Sequence, residues 1–358
     1  MSAGTGEIRS LTALRGIAAM AVVIEHFSAT AEHHAAVPIP SLVAHGYLAV
    51  DLFFVLSGFI MAYTYLAAFE ADGLGALPGF LSKRIARIVP LNTAVLACLM
   101  VAGWLSSLII GRNVLFQSNN LPFDLLANLL MLQGLGIGTN LNAPSWTIST
   151  EFAAYLIFPV LIGLVFNRRL PLRVATIVVA LIGLCVIATM QRKLGLDTAT
   201  IGQGIGRCLT EFTLGLGVYA VFRRRAALPW IGNDGVVLAA ALASGVFLLL
   251  RIDLLSVLPF PLLILSLACN TGVASRWLSS RVPYFLGVIS YSIYLIHSPF
   301  RPLELELVRW LHPAPLSLSM ALVFAIAGSL SIIPFAWFAY NAVERPGRSL
   351  VRRILAGT

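Results

Sequence analysis

The chain has 358 residues, 59% hydrophobic and only 11% charged, with a mean hydropathy of +0.91 and a formal net charge of +9. A water-soluble fold carries about 25% charged residues to solvate its surface, so an ordinary soluble enzyme is excluded and the bilayer must solvate most of this one. The 24 basic residues are scattered between apolar runs and form no stripe, so nucleic-acid binding does not explain the charge.

A membrane-spanning helix needs about 20 mostly apolar residues. In chain order, ten segments qualify, near 9–28, 47–67, 86–110, 146–166, 172–190, 201–222, 234–250, 254–271, 284–305 and 318–340. The two members within 234–271 are the shortest. Arg9 precedes the first segment and Ala29-Thr30-Ala31 imitates a signal-peptide cleavage site, but Arg15, Glu25 and His26 interrupt its apolar core, so it is expected to stay as a span. A further stretch, Leu121 to Leu135, runs into Gly134-Leu135-Gly136-Ile137-Gly138; it is too short to cross and is expected to lie at the interface or re-enter. Cys98, Cys185, Cys208 and Cys269 stand singly in apolar runs and read as packing residues. The expected fold is an all-α, polytopic membrane bundle of about ten helices, one unit over 1–358 with no appended soluble domain.

Ten spans put both termini on one side. With the N-terminus in the cytosol, 16 of the 24 basic residues fall inside and six outside, and Arg15 and Arg207 lie within spans. That bias follows the positive-inside rule.

Ionisable side chains inside the membrane cost roughly 2.5–3.5 kcal/mol each on insertion scales, so those that remain need a reason. Arg15 and His26 are eleven residues apart on the first helix, about 16 Å at 1.5 Å per residue, which sets Arg15 near the cytosol and His26 near the outer face. The second helix enters from outside near Tyr47 and the fourth near Trp146, so Asp51 and Glu151 share the level of His26. If those helices are neighbours, an imidazole and two carboxylates converge as a general base; otherwise each carboxylate bonds a nearby backbone group or a serine such as Ser149. On the cytosolic side, Lys83, Arg84 and Arg87 open the third helix. They read either as an anchor to anionic lipid or, with Arg15 above them, as a clamp for a diphosphate. Arg207 and Glu211, four apart, are expected to pair with each other. Tyr291, Tyr294 and His297 lie at i, i+3 and i+6 of the ninth helix, as an interfacial belt or a sugar-binding wall. His33, His34 and His45 lack a partner cluster and receive no role.

The ordered motifs are Arg15-x10-His26, the run Gly46-Tyr47-Leu48-Ala49-Val50-Asp51-Leu52-Phe53-Phe54-Val55-Leu56-Ser57-Gly58-Phe59, then Arg84-Ile85-Ala86-Arg87. Next come Pro144-Ser145-Trp146-Thr147-Ile148-Ser149-Thr150-Glu151, then Ile289-Ser290-Tyr291-Ser292-Ile293-Tyr294-Leu295-Ile296-His297, and finally Val343-Glu344-Arg345-Pro346. In this order, across nearly the whole chain, they resemble the acyltransferase 3 family of integral-membrane O-acyltransferases. The resemblance implies an acyl-CoA, usually acetyl-CoA, used from the cytosol, with the acyl group passing to a hydroxyl of a sugar or other acceptor outside. It points to Arg15 and His26 as the essential pair, to Arg84 and Arg87 as the motif associated with the CoA phosphates, and to Asp51 and Glu151 as supporting acids. Two positions depart from it: Thr12-Ala13 stands where many members have Asp-Gly, and Thr150 where Val is common. Neither removes a reactive group.

The function expected is therefore an O-acetyltransferase of the bacterial inner membrane that modifies a cell-surface or periplasmic glycan. His26, Asp51 and Glu151 would be catalytic, and Arg15, Arg84 and Arg87 would bind acetyl-CoA or another acyl-CoA. Trp146, Tyr291, Tyr294 and His297 would contact the acceptor, with membrane lipid as surroundings and no metal. The alternative is a transporter or flippase for a glycan or a lipid-linked sugar, which also has many spans and buried charges but needs no acyl-CoA.

Overall fold

The computed structural model of the chain describes residues 6–32, 38–113, 115–191, 196, 200–225, 228–312 and 314–356. His33 and His34, considered above, lie outside the described residues, as do Arg192 and Lys193, two of the six basic residues counted outside. The described chain folds into helices, in the order α1 (Arg9–Glu32), α2 (Ser41–Ala44), α3 (Ala49–Asp72), α4 (Ala76–Ile110), α5 (Leu121–Leu129), α6 (Ser145–Val165), α7 (Leu170–Met190), α8 (Gly204–Phe222), α9 (Asp234–Leu249), α10 (Asp253–Val257), α11 (Phe260–Cys269), α12 (Val273–Leu278), α13 (Arg281–Val288), α14 (Ser290–Ile296), α15 (Arg301–Leu311), α16 (Leu318–Ala339) and α17 (Arg345–Ala356). No β-strand forms among the described residues. Such a structure satisfies its backbone groups within each segment, as the hydrocarbon core requires.

By length and composition, six helical stretches among the described residues are long and apolar enough to cross a membrane: Arg9–Glu32, Ser41–Ile109, Ser145–Val165, Leu170–Met190, Gly204–Phe222 and Leu318–Leu355. The second of these contains both α3 and α4, which meet at the 3-10 turn Gly73–Gly75, where Gly73 takes a positive φ of 55°. Asp234–Leu249 and Asp253–Cys269 are apolar but shorter. The expected ninth span, 284–305, is not one helix: it breaks at Ile289 and again at His297, giving α13, α14 and α15. Pro299 and the hydrogen bond from Ser290 Oγ to the Gly287 carbonyl (2.8 Å) account for the breaks.

Burial orders the helices from centre to rim. In α1 61% of the most apolar window is buried, and in α7 only 11%. Helix α7 with Val179, α4 with Trp104 and Ile109, and α16 with Trp337 and Phe338 present apolar side chains outward, the surface that lipid covers. Helix α4 has 35 residues, about 52 Å at 1.5 Å per residue, against a hydrocarbon core of about 30 Å. Part of it therefore extends past the core, and Lys83, Arg84 and Arg87 lie near its N-terminal end.

Helix α3 crosses α8 closely because both faces carry glycine. A Cβ on Gly58 would lie 2.8 Å from the Phe212 carbonyl carbon, and one on Gly215 would lie 2.8 Å from the Phe59 nitrogen. The stretch expected to lie at the interface or re-enter folds into α5 and the turn Gln133–Leu135. It is held by its own polar groups: Asp124 accepts from Ser118 Oγ (2.5 Å) and from the Thr139 amide (2.7 Å), and Asn128 donates to the Asp124 and Thr139 carbonyls (2.7 Å each). Those two donors, Ser118 first, hold the Asp124 carboxyl below its ordinary range.

Gly58→Ala and Gly215→Ala should each push α3 from α8 and destabilise by about 1–3 kcal/mol, read as a lower Tm in detergent. Asp124→Asn should also lower Tm at neutral pH. Since the folded-state pKa of Asp124 is depressed, the difference from wild type should persist above the ordinary aspartate value of 3.8 and shrink only as the pH falls below it.

Candidate active site

A cavity of about 130 Å³ opens between α1, α3, α4, α6 and α14, lined by Arg15, Ser57, Arg84, Arg87, Glu151 and Tyr155 at its polar part and by Phe53, Phe54, Thr147 and Tyr294 beyond. These polar groups arrive on four helices, α1, α3, α4 and α6. Arg15 of α1 reaches Ser290 Oγ at 3.4 Å. Arg84 donates through Nη2 to the Tyr65 hydroxyl (2.9 Å), and its guanidinium lies over the Tyr65 and Tyr155 rings at 5.2 and 5.8 Å; its Nε is buried without a partner. Three residues further along α4, Arg87 lies over the Tyr291 ring at 5.4 Å and donates to Glu344.

Glu344 had no expected role, although it stands in the Val343-Glu344-Arg345-Pro346 motif. Only 1% exposed, it accepts from Arg87, from Arg348 and from Ser292 Oγ. It sits on a π-helical turn, Tyr340–Glu344, between α16 and α17. The wider turn lets a carboxylate point into the bundle from a chain otherwise running along its edge, and such turns are frequent at functional sites. Gly347 follows it against the Pro90 ring, where a Cβ would lie 3.0 Å from Pro90 Cγ, so the start of α17 packs on α4 at Pro90.

Glu151 accepts from Ser57 Oγ and from the Tyr155 hydroxyl (2.5 Å). It therefore shares the cavity with Arg15 and Arg84. Past it, Thr147 Oγ1 donates to the Tyr294 hydroxyl at 3.0 Å, and the Tyr294 ring stands edge-on to Phe53 (5.8 Å) and to His297 (6.0 Å). Beyond that ring lies His26. Its Nδ1 is 2.7 Å from His297 Nε2, the two imidazoles stack at 5.0 Å, and its Nε2 is 3.5 Å from Glu25 Oε2. The His26 side chain is 26% exposed and His297 is fully buried. Arg301 bonds Thr30 Oγ1 on α1 through Nε at 3.1 Å, at the same end of the bundle.

The expected trio of His26, Asp51 and Glu151 is thus divided. Glu151 belongs to the arginine cavity, and Asp51 belongs to a salt bridge with Arg207, whose Nε and Nη2 fork onto its two oxygens at 2.7 and 2.6 Å with both residues buried. Counting depth along a helix gives height, not direction around the axis, and Asp51 faces α8. The expected Arg207–Glu211 pair is replaced as well: Arg207 takes Asp51 and the Leu196 carbonyl (2.8 Å), and Glu211 lies fully buried beside Asp51. Trp146 stands edge-on to Phe54 (6.2 Å) and lies under the Arg207 guanidinium (5.9 Å), next to the cavity wall. Tyr291 and Tyr294 are buried, which removes the interfacial-belt reading; Tyr291 donates to the Ile88 carbonyl at 2.8 Å. His45 has partners after all, in Ser41 and Asp253. Among the described residues no group of three or more His, Cys, Asp or Glu side chains converges as a metal site.

A family model described as an acyltransferase domain matches residues 8–341. The chain is 31% identical to "Acyltransferase MdmB" of Streptomyces mycarofaciens over 80% of its own length and 77% of the relative's. It is 23% identical to "Putative O-acetyltransferase SACOL0978" of Staphylococcus aureus (strain COL) over 95% of its own length, and spans 57% of that longer protein. No solved structure matches with significance.

Asp51→Ala should strand a buried guanidinium and destabilise the protein by about 3–5 kcal/mol, read as a fall in Tm in detergent. Arg207→Leu combined with Asp51→Ala should recover part of that loss, because the guanidinium that loses its bidentate partner is removed with it, while Glu211 stays buried beside the site.

Proposed function

The chain belongs to the acyltransferase 3 family, and from that premise we propose that it transfers an acetyl group from cytosolic acetyl-CoA to a hydroxyl of a cell-surface or periplasmic glycan. It is an integral-membrane acyltransferase; the proposal concerns its donor, its acceptor, its topology and its residues. One observation carries it: three arginines from α1 and α4 meet at one end of a cavity whose other end is a single tyrosine ring from a histidine pair.

Ten crossings are supported by counting α3 and α4 separately and adding α9, the α10–α11 pair and the α13–α14 pair to the long apolar helices. Both termini then lie in the cytosol of a bacterial inner membrane, within a single transmembrane domain, as the distribution of basic residues favours.

The phosphates of CoA rest against Arg84 and Arg87 at the end of α4 that extends past the hydrocarbon core, and Arg15 adds a third cation deeper in. Arginine suits this work because its guanidinium presents a planar fork of donors to phosphate oxygens, and Arg84 Nε is a buried donor without a partner. A cavity of about 130 Å³ has room for about four waters at ~30 Å³ each, so it accepts the acyl-bearing tip of the CoA arm while the nucleotide stays at the mouth. Thr147 and Tyr294 mark the inner limit of that tip.

His26 faces the opposite end, partly exposed, where the acceptor approaches. It acts as general base: the acceptor O–H gives its proton to the imidazole, the oxygen attacks the thioester carbonyl carbon, the C–S bond breaks, and the proton passes to the departing sulfur as CoA thiol. Asp51 stays outside this chemistry and holds α3 to α8. Glu151 tempers the charge of Arg15 and Arg84 between donor substrates and, with Ser57 and Tyr155, fixes the cavity wall.

Acetyl-CoA should raise the Tm of the purified protein, and Arg84→Ala with Arg87→Ala should abolish the rise. His26→Ala should keep the rise and lose acetyl transfer by about 100-fold or more, the scale of general-base catalysis. Absence of any stabilisation by saturating acetyl-CoA in wild type would instead favour a glycan transporter.

A further inference from the structure

Helix α17 leaves the bundle with two unlike flanks. Its inner face is occupied: Gly347 lies against Pro90 of α4, Val351 one turn on is half-buried, and Arg348 donates to Glu344. Around the axis from that face, Leu350 and Ile354 share one flank at i and i+4, 59% and 67% exposed. Arg352 is two residues from each and so stands about 160° away from both, with Arg345 seven residues before it on the same flank. Arg353 is exposed between the two flanks. The helix holds four arginines and no acidic residue, and Glu344, just before it, is already shared by Arg87 and Arg348. Among the described residues, Arg345, Arg352 and Arg353 form no ion pair.

These two flanks fix the surroundings of α17 between narrow limits. Three exposed guanidinium groups are costly in hydrocarbon, whereas exposed aliphatic side chains at i and i+4 gain by leaving water. Only the boundary between the two suits both. Helix α16, with 22 residues, is about 33 Å long and crosses a core of about 30 Å by itself, so α17 is not needed to span. Its packing on Pro90 and its bond to Glu344 set it at the arginine end of the cavity.

We infer that the outer flanks of α17 are an interfacial anchor for anionic lipid: Leu350 and Ile354 enter the acyl boundary of the leaflet, and Arg345, Arg352 and Arg353 take the phosphate oxygens of acidic headgroups. Amphipathic basic helices bind such a surface through buried apolar area and charge together. Arg353, next to Ile354 in sequence, lays its stem over the apolar flank and keeps its guanidinium among the headgroups. The anchoring role left open for Lys83, Arg84 and Arg87 thereby passes to α17, since Arg84 and Arg87 turn into the cavity. A soluble phosphate compound would satisfy the arginines but offers Leu350 and Ile354 nothing, which favours lipid. The inference rests on the membrane setting of the fold and not on the donor or acceptor of the reaction.

The test reads which lipid touches α17 in the full chain. With Cys98, Cys185 and Cys269 replaced by alanine, and Cys208 buried out of reach, a bimane label is attached to Ile354→Cys in discs of mixed phosphatidylcholine and phosphatidylglycerol. Bromine on the acyl chains of one lipid at a time quenches the label where that lipid makes contact. At equal mole fraction, brominated phosphatidylglycerol should quench about threefold more than brominated phosphatidylcholine. Arg352→Gln with Arg353→Gln, both at exposed positions, should bring the two lipids to equality while quenching by each persists, because the apolar flank remains. A label on Ser349→Cys, on the polar side, should be quenched less than one on Ile354→Cys. Saturating acetyl-CoA should leave the lipid preference unchanged; its loss would assign the arginines to a soluble phosphate and overturn the inference. A label at Ile354 quenched by neither lipid, equal quenching by both with the arginines intact, or the reverse order at Ser349 would overturn it too. None of these failures touches the acyl-transfer proposal, which is read separately from the rise in Tm with acetyl-CoA.

Discussion

The fork of Arg207 on Asp51 is the interaction on which the rest of the bundle depends. Both side chains are buried, and an uncompensated charge at such a site is among the most destabilising features a protein can carry. The bidentate geometry therefore fixes how α3 and α8 face each other. Asp51, Val55 and Gly58 fall on one stripe of α3 at i, i+4 and i+7, and Gly58 supplies the close approach that the salt bridge demands. With that stripe committed to α8, Ser57, six residues on from Asp51, lies about 120° around the axis and faces the cavity, together with Phe53. The far end of the same network is anchored too: the Leu196 carbonyl accepts from Arg207, and its amide donates to Asp253, which also receives the Tyr47 hydroxyl at 2.6 Å. The salt bridge thus helps to decide which residues of α3 line the site.

A second constraint acts at the opposite end. Arg15, Arg84, Arg87 and Arg348 crowd around the mouth of the cavity and would repel one another in a medium that screens poorly. Glu344 answers this from the π-helical turn, taking Arg87 and Arg348 at once with Ser292 as a third donor. Glu151 answers it from α6 through its place beside Arg84 and Arg15. Four guanidinium groups against two carboxylates leave the mouth formally positive. Arg84 keeps an unpartnered Nε, so the mouth retains donors for an anion while its resting state is stable.

The sequence made the chemistry legible before the geometry. Scarce charges in apolar segments identified Arg15, His26, Asp51 and Glu151 as residues needing a reason, and the ordered motifs identified the family. What the sequence did not carry is direction around each helix axis. Residues at one depth, such as Asp51 and Glu151, end on opposite sides of the same layer because Asp51 turns to Arg207 and Glu151 to Ser57 and Tyr155. The local i, i+4 argument for Arg207 and Glu211 failed for a related reason: a bidentate tertiary partner satisfies a buried guanidinium better than a neighbour on the same helix. His297 was visible as a member of a periodic row, yet its pairing with His26 joins residues 271 apart. Glu344 carried a signal that went unused, since a carboxylate at the end of a long apolar segment is itself an intramembrane charge.

The position of Tyr294 connects the two ends. Its hydroxyl accepts from Thr147 and its ring fills the space between Phe53 and His297, so the arginine cavity and the histidine pair are separated by one aromatic side chain. An open channel through the bundle would join the water of the two compartments and expose a bound thioester to hydrolysis. On the proposed route, the Tyr294 ring stands between the two compartments. In the proposed reaction the donor and the acceptor need not share a compartment, because each approaches Tyr294 from its own side. The short polar row from Arg15 to His26 then serves for a transfer across the membrane without a pore for either substrate. That requires Arg15 and His26 to lie on one rigid helix, and α1, the most buried of the long apolar helices, supplies it.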